Sequence, residues 1–317
     1  MRTLGSTGLA VSPLGVGLAA LGRPGYINLG HADDVGDTDV DAMERRAHAV
    51  LDAAYNGGVR YFDAARSYGR GEAFLASWLA LRELGRDAVT VGSKWGYTYT
   101  AGWRVDADAH EVKDLSIDTL RRQLAETHAL LGDRLALYQI HSATVESGVL
   151  DDAAVLGELA RLRSEGVFIG LTMTGANQAQ TIERALQVGG FDTVQATWNL
   201  HERSAGPALA SAYEAGLGVI VKEALANGRL TARGEGEDPL TDAARERGTT
   251  PDALALAAVL AQPWVDVVLS GAATVATLRS NLAALDVTWD AELDERLAPL
   301  SEPPDEYWKR RAELPWN

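Results

Sequence analysis

Eight short apolar runs, each followed by a longer segment of helical period, constrain the fold of this chain more than any other feature. A short apolar run suits a strand that is buried on both faces, and strands that alternate with helices form βαβ units with a parallel sheet. Because the helical crossovers are right-handed and eight such units can close on themselves, we predict an α/β fold, a (β/α)8 TIM barrel. The predicted strands span residues 14–17, 59–62, 88–93, 135–140, 167–171, 193–197, 218–221 and 265–269.

The segments before and after these units are predicted to add elements to the barrel. Residues 4–11 predict a β-hairpin before the first strand, and residues 289–311 predict one or two C-terminal helices. No stretch rich in Pro, Ser or Gly separates two parts of the chain, so we predict a single domain over residues 1–317. Three long connections follow strands and should lie at the C-terminal face, where barrel enzymes build their sites. They span residues 22–40, 95–115 and 222–239.

The charge and composition exclude several classes of protein. The chain carries 29 basic and 44 acidic residues, a net charge of −15, which disfavours a phosphate backbone or an anionic bilayer as a partner. No run approaches the roughly 20 apolar residues of a membrane span, and the first residues lack the apolar core of a signal peptide. The absence of cysteine excludes a catalytic thiol. We therefore expect a cytoplasmic protein without a nucleic-acid or membrane partner, and its oligomeric state is left open.

Four polar residues stand where the second, third and fourth predicted strands end. Asp63, Lys94 and His141 each close or follow an apolar run, and Tyr68 lies in the loop after the first of these strands. Taken singly, each has an ordinary structural explanation as a turn cap, a packed ring, a solvated charge or a local hydrogen-bond partner. A barrel brings the carboxyl ends of its strands to one rim, so together the four predict a cluster of titratable groups.

A glycine pattern after the first strand resembles a different kind of nucleotide site. Gly15-Val-Gly17-Leu-Ala-Ala20 matches the fingerprint of dinucleotide-binding Rossmann domains. That fingerprint needs a helix directly after it to present amide groups to the pyrophosphate. Gly22-Arg-Pro-Gly25 interrupts any such helix, so the sequence does not favour a Rossmann domain.

The segments around the four polar residues resemble the three signatures of the aldo-keto reductase family, in the family's order and spacing. They read Phe62-Asp-Ala-Ala-Arg-Ser-Tyr-Gly, Ser93-Lys-Trp-Gly and Leu137-Tyr-Gln-Ile-His. The resemblance extends over nearly the whole chain, from the hairpin at Leu4 to Val268-Leu-Ser-Gly-Ala. It implies a (β/α)8 barrel that reduces carbonyls with a nicotinamide cofactor, usually NADPH, bound extended across the top of the barrel.

The resemblance also implies a role for each of the four residues. Tyr68 would be the general acid, Lys94 its partner, Asp63 the ion-pair mate of the lysine, and His141 the residue that orients the substrate carbonyl. Hydride addition leaves negative charge on the carbonyl oxygen, and a proton donor beside that oxygen lowers the barrier. We expect the Lys94 ammonium to lower the pKa of the Tyr68 phenol from its usual value of about 10.

The same resemblance implies a cofactor site with several replaced residues. Lys222 stands where the family places an aromatic ring against the nicotinamide, and either an ion pair with Glu223 or a role in the site would explain it. Gly271, Ala272 and Thr277 stand where family members carry side chains that bind an adenosine 2′-phosphate. NADP(H) is therefore favoured by the family, and NAD(H) is kept as an alternative. The implied cofactor-binding residues are Thr172, Gln195, Lys222, Leu225, Ser270, Gly271 and Asn281.

The substrate side of the site is harder to predict. Trp95 and Trp198 adjoin strand ends and are predicted to wall a substrate pocket, because aromatic rings supply apolar area and stacking surfaces. The charged residues 110–114 predict a solvated loop rather than a metal site, and no metal is predicted.

We therefore predict an oxidoreductase that reversibly reduces an aldehyde, ketone or sugar carbonyl to an alcohol, with Tyr68 as general acid and base. Two alternatives stay open at this point. One is a nucleotide-binding regulatory barrel with little turnover, and the other is an aldolase or isomerase in which Lys94 forms a Schiff base.

Overall fold

Eight parallel strands close into a barrel in the computed structural model, which describes residues 1–234 and 239–317. Around the barrel the strands neighbour one another in their order along the chain, which confirms the predicted (β/α)8 TIM barrel. In chain order the strands are β1 (Arg2–Thr3), β2 (Ala10–Val11), β3 (Leu14–Gly17), β4 (Tyr61–Asp63), β5 (Thr90–Trp95), β6 (Tyr97–Tyr99), β7 (Glu111–Lys113), β8 (Leu135–Ala143), β9 (Phe168–Met173), β10 (Thr193–Thr197), β11 (Gly218–Lys222) and β12 (Val267–Ser270). The barrel consists of β3, β4, β5 and β8 to β12.

The strand ends at the rim extend further than the apolar pattern predicts. The predicted strand 59–62 is observed as β4, which continues to Asp63, and the predicted strand 88–93 is observed as β5, which continues to Trp95. Asp63 pairs with Gly92, and Lys94 pairs with Gln139 in the parallel ladder. The polar residues therefore belong to the strands themselves, and the rigid ladder fixes where their side chains begin.

Helices surround the barrel, and most bury their apolar faces against it. Ser116 and Thr250 accept hydrogen bonds from backbone amides of the first helical turn and thus cap two of these helices. No helix formed by the described residues is long and apolar enough to cross a membrane. The helices are α1 (His31–Val35), α2 (Val40–Asn56), α3 (Gly71–Leu81), α4 (Ile117–Leu131), α5 (Ala153–Ser164), α6 (Gln178–Val188), α7 (Gly206–Glu214), α8 (Pro239–Glu246), α9 (Pro251–Leu260), α10 (Val275–Leu282), α11 (Ala291–Leu297) and α12 (Pro304–Ala312). Apolar residues of α8, α9, α11 and α12 form a second cluster.

Two antiparallel hairpins lie outside the barrel in the part of the chain that the structure describes. The first, formed by β1 and β2, was predicted from the sequence and is confirmed. The second, formed by β6 and β7, lies within the connection 95–115, where only a loop was predicted. Of the long connection 222–239, residues 235–238 lie outside the described residues.

The C-terminal part of the chain returns to the top of the barrel. The predicted C-terminal helices are present as α11 and α12. Beyond α12, Asn317 exchanges two backbone hydrogen bonds with Tyr26, of 3.0 and 3.2 Å. The last residues therefore lie beside the connection that follows β3, at the face where the strands end.

Candidate active site

Asp63 and Lys94 form a buried ion pair at the carboxyl ends of β4 and β5. Each residue is 1% exposed. The Lys94 ammonium also donates a hydrogen bond of 3.0 Å to the carbonyl of Ala64. Because a buried charge needs a partner and hydrogen bonds to be stable, each of the two side chains holds the other in place.

Neutral donors complete the surroundings of the Asp63 carboxylate. The Tyr61 hydroxyl donates to Oδ1 at 3.0 Å, and the Gln139 amide donates to the same oxygen at 3.1 Å. The Gln195 amide reaches both carboxylate oxygens at 3.4 Å. Gln195, which the sequence predicted as a cofactor residue, also lines the adjoining cavity.

Tyr68 lies in the loop between β4 and α3, and this loop is tied to the barrel wall. The amide of Ala64 donates to Gly92, and the amide of Arg66 donates to the carbonyl of Lys94. These bonds run beside the ion pair and place the Tyr68 hydroxyl 3.5 Å from the Lys94 ammonium. The structure therefore brings Asp63, Lys94 and Tyr68 together as the sequence predicted.

The expected lowering of the Tyr68 pKa is wrong in direction. Burial raises the pKa of the phenol well above its usual value of about 10, and the Asp63 carboxylate raises it further. The physical reason is that burial penalises the charged phenolate, and the nearby Asp63 carboxylate acts in the same direction. Tyr68 therefore stays protonated at neutral pH, in the form that a proton donor requires.

His141, near the end of β8, packs against two tyrosine rings. Its ring centre lies 5.6 Å from that of Tyr68 and 4.9 Å from that of Tyr97, and both contacts are edge-on. Burial holds the pKa of His141 well below its usual range, and the nearby Lys94 ammonium lowers it further. A neutral imidazole beside the phenol can take part in a hydrogen bond with a carbonyl oxygen without adding a charge.

A cavity of about 580 Å³ opens at this rim. Its walls near the ion pair include Asp63, Tyr68, Tyr97 and His141. From there it extends along the ends of the last barrel strands to Asn281 on α10. A cavity of this volume with convergent polar groups has the character of a small-molecule site.

The far end of the cavity contains four of the predicted cofactor residues. The Ser270 hydroxyl donates to the Asn281 amide oxygen at 2.7 Å, and the Asn281 amide nitrogen donates to Asp252 at 2.8 Å. Gly271 and Leu225 line the same end. The hydrogen bonds fix the Asn281 side chain within the cavity wall.

Lys222 both lines the cavity and lies next to an acidic partner. Its ammonium lies 3.8 Å from Glu223, whose carboxylate is also bound by Arg311. Burial lowers the pKa of the Lys222 ammonium. The two explanations that the sequence left open for this lysine are therefore compatible, because the ion pair itself stands in the cavity wall.

Four predicted site residues do not line this cavity among the residues that the structure describes. Lys94 is buried in its ion pair with Asp63, which does line it. Thr172 lies behind the cavity and accepts a hydrogen bond of 2.8 Å from the amide of Ser142, which does line it.

Trp95 is fully buried. Trp198 packs edge-on against Trp264, at 5.7 Å between ring centres, and borders a separate cleft. Neither Trp95 nor Trp198 therefore forms part of the wall of this cavity.

The structure adds residues that the sequence did not indicate. Arg23, Tyr26, Glu111 and Trp316 line the cavity near Tyr68. Glu111 belongs to the segment predicted as a solvated loop, and it lies instead on β7, where its carboxylate pairs with Arg23 at 2.9 Å. The period-two alternation of residues 97–99 and 111–113 was the signal that could have predicted this hairpin.

Comparison with known proteins gives consistent results. Residues 13–300 match the model of the Aldo/keto reductase family. The chain is 28% identical to D-threo-aldose 1-dehydrogenase of a Pseudomonas species, over 78% of this chain and 75% of that protein. It is 27% identical to NADH-specific methylglyoxal reductase of Escherichia coli, over 90% of this chain and 93% of that protein. A solved aldo-keto reductase of Bacillus halodurans, in its holo form, shares the fold with a TM-score of 0.71 at 22% identity, over 95% of this chain and 96% of that one.

Proposed function

Because the chain belongs to the aldo/keto reductase family and is an NAD(P)H-dependent oxidoreductase, we propose that it reversibly reduces a small aldehyde, ketone or sugar carbonyl to the alcohol, with Tyr68 as the general acid. The observation that carries the proposal is the hydroxyl of Tyr68 at the cavity wall, 3.5 Å from a lysine that is itself paired with Asp63.

The far end of the cavity fits a nicotinamide dinucleotide. The side-chain oxygen of Asn227 lines the cavity, is buried and has no hydrogen-bond partner within the described part of the chain. At Gly271 the nearest atom to an added Cβ would be the Asn28 amide at 3.9 Å, so the backbone there is open to a ligand. When bound, such a cofactor supplies or accepts a hydride at the substrate carbon. We assign its binding to Gln195, Lys222, Leu225, Ser270, Gly271 and Asn281, which line the cavity. Thr172 lies behind the wall and supports Ser142 through its hydrogen bond.

The residues of the chain act on the carbonyl oxygen. Tyr68 donates its proton to the oxygen as negative charge develops there, and neutral His141 orients the same oxygen by a hydrogen bond. The phenolate that remains is stabilised by the Lys94 ammonium, which its ion pair with Asp63 holds in place. In alcohol oxidation the same groups act in the reverse sense, with the phenolate as base.

The relatives support the substrate class and leave the choice of cofactor to experiment. One relative is named for an aldose and another for methylglyoxal, both small carbonyl compounds, and the second is named for NADH. We propose NADP(H) as the cofactor favoured by the family, with NAD(H) as the alternative, because cationic side chains for a 2′-phosphate are lacking at Gly271, Ala272 and Thr277.

The ion pair argues against Lys94 as a Schiff-base nucleophile. A Schiff-base amine must have a free nitrogen that can attack a carbonyl, whereas the Lys94 nitrogen is held by Asp63 and by the carbonyl of Ala64. The test of the proposal is the oxidation of NADPH and of NADH, followed by absorbance, with a panel of aldehydes, ketones and sugars. Turnover that requires a nicotinamide and is lost in Tyr68→Phe supports it. Covalent trapping of a carbonyl on Lys94 by borohydride, with no nicotinamide requirement, would overturn it.

A further inference from the structure

Arg23 lies in the cavity wall next to the proposed general acid, and the proposed reaction does not use it. The residue is 3% exposed, and its guanidinium carbon lies 5.3 Å from the centre of the Tyr68 ring. Nη1 donates to the carbonyl of Ser67 at 3.2 Å and to the carboxylate of Glu111 at 2.9 Å. These two bonds hold the guanidinium in a fixed orientation.

The other edge of the Arg23 guanidinium lacks a partner among the described residues. Nε is buried and without an acceptor, and the hydrogen bonds that the Arg23 guanidinium makes to described residues all come from Nη1. This is the edge with which arginines elsewhere in the chain bind carboxylates. Arg82 holds Asp52 through Nε at 2.9 Å and Nη2 at 2.6 Å, and Arg163 holds Asp192 through Nε at 3.0 Å and Nη2 at 2.7 Å. A free fork of this kind matches the two oxygens of a carboxylate.

Aromatic rings restrict how a ligand can approach this guanidinium. The ring of Trp316 lies 4.8 Å from the guanidinium carbon, and the ring of Tyr26 lies 5.0 Å from it. With these rings and that of Tyr68 around it, the guanidinium is stacked rather than solvated. Because Arg23 also lines the cavity, a ligand bound there lies next to this guanidinium.

The charges around His141 are also suited to an anion. After burial, the strongest influences on the pKa of His141 are four cations, and all of them lower it. They are Lys94, Lys222, Arg23 and Lys113. These cations would attract an anionic substituent of a substrate whose carbonyl binds near the imidazole.

We propose that Arg23 is a specificity-determining residue that binds a carboxylate of the substrate through its Nε and Nη2 edge, so that the preferred substrates are short oxo acids. This inference rests on the proposed function, because it places the carboxylate relative to the carbonyl that Tyr68 protonates. The short distance between Arg23 and Tyr68 restricts the two functional groups to a few carbon atoms of separation. Glu111 stays bound to Nη1 and fixes the orientation of the guanidinium. It leaves Nε and Nη2 for the substrate carboxylate.

The test compares a short aldehyde acid with its uncharged ester. We would measure kcat/KM for 4-oxobutanoate and for methyl 4-oxobutanoate in the wild type, Arg23→Gln and Arg23→Lys. The acid should be preferred by about tenfold or more in the wild type, since charge-assisted bidentate bonds are the strong ones. Arg23→Gln should abolish this preference while it retains turnover of the ester, which shows that the variant is folded. Arg23→Lys keeps the charge without the fork and should retain only part of the preference.

A surface arginine with the same chemistry provides the control. In Arg82→Gln the substitution is identical, but the residue is paired with Asp52 on the surface, away from the cavity. The ratio of acid to ester turnover should stay at the wild-type value. Equal turnover of acid and ester in the wild type, or an Arg23→Gln variant that weakens NADPH binding and leaves the ratio unchanged, would overturn the inference.

A binding measurement separates this inference from the proposed reaction. Succinate carries the carboxylate without a reducible carbonyl, and its binding can be followed by calorimetry in the wild type and Arg23→Gln. Binding that requires Arg23 supports the carboxylate site even if no carbonyl compound is turned over, in which case only the proposed reaction fails. Carbonyl turnover together with succinate binding that is insensitive to Arg23→Gln would leave the reaction standing and overturn the carboxylate site.

Discussion

The ammonium of Lys94 lies 3.5 Å from the hydroxyl of Tyr68, while its ion pair is made with Asp63. Lys94 is therefore close enough to stabilise a phenolate, while burial keeps the resting phenol protonated. If Tyr68 is the general acid, as proposed, this arrangement offers a cation at the atom that loses its proton.

Replacing Tyr68 by phenylalanine should remove the proton donor and leave the cavity intact. We expect kcat for carbonyl reduction to fall by roughly 10²- to 10⁴-fold, the usual contribution of general acid catalysis, which corresponds to about 3 to 5 kcal/mol. Steady-state kinetics measure the loss, and a fluorescence titration with NADPH should give an unchanged dissociation constant. Undiminished turnover in Tyr68→Phe would remove this residue from the acid role.

Replacing Asp63 by asparagine should destabilise the fold, because it leaves the Lys94 charge buried without its counter-ion. Breaking one partner of a buried ion pair costs about 3 to 5 kcal/mol, which should appear as a lower free energy of unfolding in urea. The double substitution Asp63→Asn and Lys94→Met should recover part of this loss, since no unpaired charge remains.

The control for this prediction is Asp106→Asn. Asp106 pairs with Arg104, but both side chains are largely exposed, so the change should leave the unfolding midpoint where it is. Equal losses of unfolding free energy in Asp63→Asn and Asp106→Asn would show that burial of the ion pair between Asp63 and Lys94 does not raise the cost of breaking it.

The raised pKa of Tyr68 can be tested without turnover. A phenol with an ordinary pKa ionises near pH 10, whereas the buried phenol should remain un-ionised there. An ultraviolet titration of tyrosinate up to about pH 10 should therefore give the same amplitude for the wild type and for Tyr68→Phe. A deficit of one tyrosinate in the variant below that pH would contradict the direction given for the Tyr68 pKa.

The barrel could be predicted from the sequence because each of its strands is a run of apolar residues. Such a run can be recognised locally, without knowledge of distant residues. Residues 193–197 were predicted as a strand and are observed as β10 without change. The rim cluster could be predicted for a related reason. Asp63 and Lys94 stand at the ends of such runs, and a barrel brings strand ends together whatever the loops do. Their roles in the reaction stay predictions.

The substrate end of the cavity could not be predicted in the same way. Trp316 stacks on His110 at 3.8 Å between ring centres, and Arg23 pairs with Glu111, although the partners in each case are far apart in the chain. No local period relates such residues, and their contacts depend on how connections fold over the finished barrel. Trp198 was predicted to wall the pocket because it is close to a strand end. Closeness to a strand end does not specify on which side of the strand a side chain points.

The preference for NADPH over NADH should be modest. Gly271, Ala272 and Thr277 offer no cation to a 2′-phosphate, and the Asp252 carboxylate lines the same end of the cavity. Fluorescence titrations with both cofactors should give dissociation constants that differ by less than about a hundredfold, or about 2.7 kcal/mol. A larger ratio in favour of NADPH would mean that another group binds the phosphate. Tyr68→Phe is a suitable control, since it should show the same ratio as the wild type.

Glu223 should make the stability of the protein fall in acid. Burial acts to raise the pKa of this carboxyl, but Arg311 and then Lys222 outweigh it and lower the pKa to about 2. In the unfolded chain the pKa of glutamate is about 4.3, so the folded state gains stability above that pH and loses it as the pH falls toward 2. The full contribution is on the order of 3 kcal/mol.

We expect the free energy of unfolding of the wild type to decrease between about pH 4.5 and pH 2, and Glu223→Gln to flatten this decrease. Glu214→Gln, an exposed position on α7, should keep the wild-type slope, and a slope unaffected by Glu223→Gln would contradict the assignment.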